Sequence, residues 1–588
     1  MFHSSEFFIP FLFLLSFIYL LYKFIAIYLI NRYYSQNVKK VLQERQNNIQ
    51  SFLDRYSNVV EPSLQIEILS LTACELLDKI KSKQITSEQV VITYSLRAAT
   101  IGLEYGLIGD VNFEDAISEA KKKDQDINEF DPIDLPPLHG LPVSVKDHVT
   151  TKGLRYTAGF MKCATLGKSP DDCNFIKVLR DNGAIFYVSS NLPQGIGSIE
   201  SYNNIWGRAM NPWDRNRTPG GSSGGEAGLI ASKCSPLGIG SDAAGSIRIP
   251  CSFCGIYGFA PTGRRISLKR TRNLRVHDIN VAREINCSYG PMGKSVEDLI
   301  LVSKCLFGKF TDVDPDIPPL DWNEEKYQKA FLKKKRIGVI YDDSFCESFP
   351  ANRNVIMEVA EALKRKGHEI VLVTENWTEE FVLTGLPVMQ SHGMASNLMK
   401  TLEGEMPESF YRLQVLLSYF PNVVLKFFGF MAKFVGEARF GKILGVLVDR
   451  NLDEFYKAVF KKEILKDKFA DFWIERKLDA LITPVLPFPA IKHGDAELLQ
   501  GLIGNTFIYN IMGMPAGVVP IRKIREDEQY YSTRFKDMAA KKLKSLVDGI
   551  KGLPVGVQVA TWNFNDEGCL ALMKEIEEEF KYHDFPKI

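Results

Sequence analysis

Between Phe7 and Ile30 the chain reads FFIPFLFLLSFIYLLYKFIAIYLI, twenty-four residues in which only Pro10, Ser16 and Lys23 clearly depart from apolarity. As a helix, such a run is long enough to cross the ~30 Å hydrocarbon core of a bilayer. A cleaved signal peptide would carry basic residues ahead of a shorter apolar run and small residues after it. Here residues 1–6 hold no Lys or Arg, whereas Arg32, Lys39, Lys40 and Arg45 follow. We therefore read 7–30 as a single transmembrane helix, with the positive flank placing the body on the cytosolic side. A glycan at the Asn216-Arg217-Thr218 acceptor pattern would obstruct the richest motif in the chain, which agrees with that side.

The 588 residues are 45% hydrophobic, ample for a large core, and 72 basic against 71 acidic side chains leave a formal charge of +1. So balanced a chain has no global field to recruit nucleic acid. Its ten cysteines are scattered. The one close pair, Cys251 and Cys254, has no second pair to complete a tetrahedral site, so no metal and no cofactor is expected. The thiols read as reduced and buried.

After the apolar run, Arg32 to Ser57 has helical composition, and Thr86-Ser87-Glu88-Gln89 has the form of a capping box. Residues 31–130 are read as a helical lead-in and 131–588 as one large domain. Six short apolar, β-branched runs bounded by Gly or Pro predict buried strands: Leu141–Val145, Ala184–Ser189, Ile337–Tyr341, Ile370–Thr374, Ala480–Thr483 and Val555–Ala560. The helical stretch Asn352–Lys366 between the third and fourth makes a β-α-β unit. The pattern implies an α/β domain with helices on both faces of its sheet. A second apolar region, Met406 to Phe434, is interrupted by Pro421 and carries Lys426 and Lys433. It suits equally a pair of core helices or an amphipathic pair lying in a membrane interface.

The most unusual composition is Pro219-Gly-Gly-Ser222-Ser223-Gly-Gly-Glu226, followed by Gly238-Ile-Gly-Ser-Asp242-Ala243-Ala244-Gly245-Ser246-Ile-Arg248-Ile-Pro250. Glycines at this density let backbone N–H groups converge on a developing anion. A linker would not run on into Ile247, Ile249 and Pro250, and a phosphate loop would need Gly-Lys before Ser or Thr. The stretch around Ser223 also satisfies G-x-S-x-G, the nucleophile elbow of α/β-hydrolases. That elbow needs a strand directly before the serine, and Asn211 to Pro219 cannot be a central strand.

Taken together, Gly220 to Gly225 and Gly245 to Arg248 resemble the amidase signature. Gly140-Leu-Pro-Val-Ser-Val-Lys146-Asp147 resembles the segment carrying that family's catalytic lysine. The likeness extends through Asn191-Leu-Pro-Gln194, Asn211-Pro-Trp213, Ser288 to Met292, Met514 to Pro520 and Gly552 to Val555. With the apolar run and the 406–434 region added, the chain is most similar to the integral-membrane fatty-acid amide hydrolases.

The resemblance implies a large twisted mixed sheet flanked by helices and a membrane-binding cap at 406–434. It also implies a Ser-Ser-Lys triad: Ser246 as nucleophile, Ser222 as proton relay and Lys146 as base. The N–H groups of Ala243, Ala244, Gly245 and Ser246 would form the oxyanion hole, Ile196 would line the acyl pocket, and Ser223, Asp242 and Arg248 would support the loop. A non-proline cis peptide near Ser222 is expected too. Ala243-Ala244 stands where the relatives have Ile-Gly, so an extra methyl can narrow the site. Gly195-Ile196-Gly197 carries less bulk than they place along the pocket.

The function implied is hydrolysis of lipid amides, N-acylethanolamines or primary fatty amides, through an acyl-enzyme at the endoplasmic reticulum or another endomembrane. The partners are the lipid substrate and the bilayer; a homodimer stays open, and nucleic acid is not expected. The alternatives are an anchored amidase or esterase for smaller amides and a catalytically idle membrane-binding protein.

Overall fold

A computed structural model describes residues 5–271, 284–375, 377–390 and 402–588; of residues 5–20, 23 and 24 it describes the backbone alone. Ser5–Tyr56 is one helix of 52 residues, so the apolar run and the polar stretch after it share a single rod. The predicted span at 7–30 lies mostly outside the described side chains. Among the described residues no single helix is long and apolar enough to cross a membrane. The Ser409–Ser418 and Asn422–Ala432 pair, bent by 116°, meets the test by length and composition.

Thirteen strands follow among the described residues: β1 (Ile108–Val111), β2 (Pro142–Lys146), β3 (Ile185–Ser190), β4 (Tyr202–Asn203), β5 (Gly207–Arg208), β6 (Leu237–Asp242), β7 (Tyr257–Ala260), β8 (Ser288–Gly293), β9 (Arg336–Val339), β10 (Glu369–Leu372), β11 (Ala480–Thr483), β12 (Ala516–Lys523) and β13 (Pro554–Thr561). Eleven of them form one mixed sheet in the order β1-β3-β2-β6-β8-β7-β12-β13-β11-β9-β10, while β4 and β5 make a separate ribbon. All six predicted strands are present within a residue or two, and β9 and β10 run parallel, joined by the Pro350–Arg365 helix, which Pro350 opens. The lead-in is not wholly helical, because β1 pairs with β3 at the sheet's edge. The Thr86 capping box is formed, with Gln89 N–H donating to Thr86 Oγ1 at 3.1 Å and Thr86 N–H to Gln89 Oε1 at 2.9 Å.

A continuous apolar core runs from Ile49 and Phe52 on the first helix through both sheet faces to Ile576 near the C-terminus. Lead-in and catalytic body therefore share one core. Eight of the ten cysteines are buried and all are free, Cys254 Sγ lying 3.4 Å from Pro219 O.

At 406–434 the two short helices divide their faces. Leu413 and Leu417 turn inward to line a cavity, whereas Leu416, Tyr419, Phe420, Val423, Phe427, Phe430 and Phe434 are exposed, Val423 to 78% and Tyr419 to 72%. Apolar side chains gathered this densely in the open mark a surface that meets something apolar. The core-helix reading therefore fails for the outer face.

Candidate active site

β2 lies between β3 and β6, parallel to both. Ligand sites in such sheets form beyond the carboxyl ends of strands where the chain order reverses. Lys146 ends β2 and Asp242 ends β6. The chain leaving β2 is fastened by Asp147, which accepts from Thr157 N–H at 2.9 Å and Trp206 Nε1 at 2.5 Å.

Lys146 is wholly buried, with Nζ 2.7 Å from Ser222 Oγ and 3.0 Å from Ser241 Oγ. No carboxylate lies in salt-bridge contact with it among the described residues. Burial disfavours an ammonium with no counter-ion. It pulls Lys146 from 10.5 down to about 7, against the opposing pull of Cys287, Asp242 and Glu226. Ser241 was not anticipated by sequence; it precedes Asp242 at the end of β6 and gives the amine its second oxygen.

The Gly221–Ser222 peptide is cis, as the resemblance implied. The glycines here serve close approach. A Cβ on Gly221 would sit 2.2 Å from Ser198 O, and one on Gly225 2.4 Å from Asn191 N and O. Ser223 is fully buried, with Oγ 3.3 Å from Ser241 O, and its N–H donates to Ser246 O at 3.1 Å. Ser223 is thus turned into β6, and the residues before it are loop, so the elbow reading fails on geometry.

Ser246 follows Gly245, whose φ of +111° lies in the left-handed region, and precedes the Arg248–Cys254 helix. It opens onto a cavity of about 220 Å³. Gly221, Ala243 and Ala244 stand beside it; Ile196, Ile199, Leu386, Met389 and Ile503 line the walls, and Phe410, Leu413 and Leu417 come from the cap side. Ile196 stands in the cavity wall. The bulk missing at Gly197 is supplied by Tyr411, whose Oη would lie 2.5 Å from a Cβ there.

Asp242 and Arg248 brace the loop from behind. Asp242 accepts from Gly245 N–H at 2.8 Å and Ile247 N–H at 3.0 Å, and Arg248 donates to it from Nη2 at 2.8 Å and Nε at 3.0 Å. Burial pushes this carboxyl up, but Arg248 and Asn510 outweigh it and hold it at about 2. Gly245 N–H is consequently spent on Asp242. Of the four expected oxyanion donors, Ala243, Ala244 and Ser246 keep N–H groups without a protein acceptor among the described residues. Asn510, Gln558 and Thr506, which complete the Arg248 network, lie 258 to 310 residues away and left no local sequence signal.

A family model described as amidase matches residues 89–570. The chain is 29% identical over 527 residues to the fatty-acid amide hydrolase 1 of Sus scrofa, covering 88% of this chain and 87% of that protein. It is 30% identical over 455 residues to the fatty acid amide hydrolase 1 of Caenorhabditis elegans, covering 75% and 77%. A putative amidase of Curvularia clavata is 29% identical over 524 residues, covering 87% and 88%. A solved fatty acid amide hydrolase shares the architecture with a TM-score of 0.75 at 22% identity over 93% of this chain and 91% of that one.

Proposed function

Because this chain belongs to the amidase family and is an amide-hydrolysing enzyme, we propose that it cleaves fatty-acid amides supplied from a bilayer, with Ser246 as nucleophile, Ser222 as relay and Lys146 as base. The observation that carries this reading is a buried amine, drawn down to about 7, lying 2.7 Å from Ser222 Oγ beneath an apolar cavity onto which Ser246 opens. A serine hydroxyl attacks an amide poorly until its proton is removed, and a neutral lysine can remove it.

Ser246 Oγ adds to the amide carbonyl as its proton passes to Ser222 Oγ and the Ser222 proton passes to Lys146 Nζ. The carbonyl oxygen gathers the negative charge, which the N–H groups of Ala243, Ala244 and Ser246 receive. The relay then reverses. Ser222 protonates the departing nitrogen and is reprotonated by Lys146, and the C–N bond breaks to leave an ester on Ser246. Water, activated along the same path, releases the acid.

The lipid class is supported by the apolar walls and by the exposed outer face of 406–434. In this reading Phe7–Ile30 anchors the chain in an endomembrane such as the endoplasmic reticulum, with the body on the cytosolic side. A second reading, turnover of shorter amides, is favoured by the cavity's size, since about 220 Å³ is below the ~300–1,000 Å³ of most small-molecule sites. Comparing kcat/KM for oleamide and acetamide separates them. We expect a preference for oleamide above about tenfold, because two buried methylenes contribute that much. Equal efficiency overturns the lipid assignment.

A further inference from the structure

Within electrostatic reach of Lys146, and outside the residues that line the cavity, lies a carboxyl that the reaction as described leaves idle. Glu226 sits in the first turn of the Gly224–Ala231 helix and is wholly buried. One of its oxygens is hydrogen-bonded to Ser144 Oγ. Ser144 lies two residues before Lys146 on β2, so both side chains leave the same face of the sheet. On the neighbouring strand, Gly238 pairs with Ser144, and a Cβ there would come within 2.0 Å of Glu226 Oε1. The sheet is thus opened by one missing side chain to admit this carboxyl.

The other oxygen, Oε2, has no hydrogen-bond partner among the described residues. The Ser190 hydroxyl is near enough to favour the charged form but makes no bond of normal geometry with the carboxyl. A carboxyl so placed is better accommodated as the neutral acid than as an anion. Lys146 is in turn faced by the hydroxyls of Ser222 and Ser241, by Cys287 and Asp242, by His148 two residues beyond the end of its strand, and by Glu226.

We infer that Glu226 is a positioning residue for the base: while protonated it leaves Lys146 free to exist as an amine, and on ionising it draws the lysine back toward ammonium. This rests on the reading of Lys146 as the base. Burial raises Glu226 to about 7, the same region in which Lys146 titrates. Two interacting groups in one range lose their protons in two macroscopic steps belonging to the pair. The acid limb of the wild-type pH profile is accordingly broader than a single ionisation.

The test is the pH dependence of kcat/KM in full-length wild type, Glu226→Gln and Lys146→Ala. In Glu226→Gln, which keeps the shape and removes the charge, the limb should follow one ionisation and move down by roughly one unit, giving up to about tenfold higher kcat/KM within the limb. A merely structural role would lower activity at every pH and leave the midpoint in place. Ser144→Ala removes the bond that favours the Glu226 anion and should shift the limb the same way by less, which keeps the test open if Glu226→Gln does not fold. A clear wild-type limb with an unmoved midpoint in the variants overturns this inference alone. Substantial activity in Lys146→Ala overturns the assignment of the base on which it rests.

Discussion

Replacing Arg248 with methionine removes the brace behind the reacting loop while keeping most of the side chain's bulk. The guanidinium is buried and reaches Asp242 twice, Thr506 O at 2.9 Å, Gln558 Oε1 at 2.8 Å and Asn510 Oδ1 at 2.6 Å. Asp242, held at about 2 instead of 3.8, contributes on the order of 2 kcal/mol. A depressed carboxylate adds stability above its unfolded pKa and loses it as pH falls toward the folded one. Without Arg248 the burial of Asp242 acts with much less opposition and raises its pKa. The sign then inverts: stability is present in acid and lost as pH rises.

Removing one partner of a buried pair costs about 3–5 kcal/mol. With roughly 2.1 cal/mol/K of unfolding entropy per residue over 588 residues, that lowers the melting temperature by about 2–4 °C near neutral pH. Thermal unfolding in detergent should show the gap between wild type and Arg248→Met widening from about pH 4.5 to pH 8, and Asp242→Asn/Arg248→Met recovering part of it. A gap that is constant with pH, or a double variant no better than the single one, refutes the reasoning.

The proposed triad makes its own demands. Lys146→Ala should reduce kcat by about 10²–10⁴, and wild-type kcat/KM should fall below about pH 7 as the amine takes a proton. A fluorophosphonate probe should label wild type and Ser223→Ala but not Ser246→Ala, read by mapping the modified peptide; label on Ser223 would reverse the choice of nucleophile. Phe427→Glu/Phe434→Glu, both on the exposed face, should weaken flotation with vesicles and leave turnover of a short soluble amide unchanged.

What the sequence revealed followed the strength of its local pattern. The six predicted strands are short runs dominated by apolar and β-branched residues, even where Pro142, Gly338 or Gly556 stands within them. Leu237–Asp242 is a central strand with glycines at 238 and 240, one making room for Glu226 and the other packed under Met292 and Ile247. Ser288–Gly293 carries Pro291 opposite Ile239, and Ala516–Lys523 carries Pro520 beside a shift in register. Proline and glycine weaken the local strand signal, and in these three stretches the pairing with partners distant in sequence reveals the strand. Lys146, Ser222 and Ser246 could be nominated from motifs, whereas Asn510, Gln558 and Glu226 act through contacts that no spacing encodes. By sequence the glycine cluster is a source of converging N–H groups; in the structure much of it serves backbone packing, and Gly245 N–H is taken by a side chain.

The unbroken first helix also decides how the body is carried. Beyond the apolar run, Tyr34, Val38, Val41 and Leu42 pack with Met161, Ile205 and Trp206, while Ile30 lies against Gly404 and Asn31 accepts from Met406 N–H where the cap begins. This is a mast stepped into the hull, not a mooring line. For a body anchored through Phe7–Ile30, such a mount sets the height and tilt of the cavity's mouth above the lipid. One flexible residue inserted near position 33 would therefore leave the anchor in place and still uncouple the mouth from the surface it draws on.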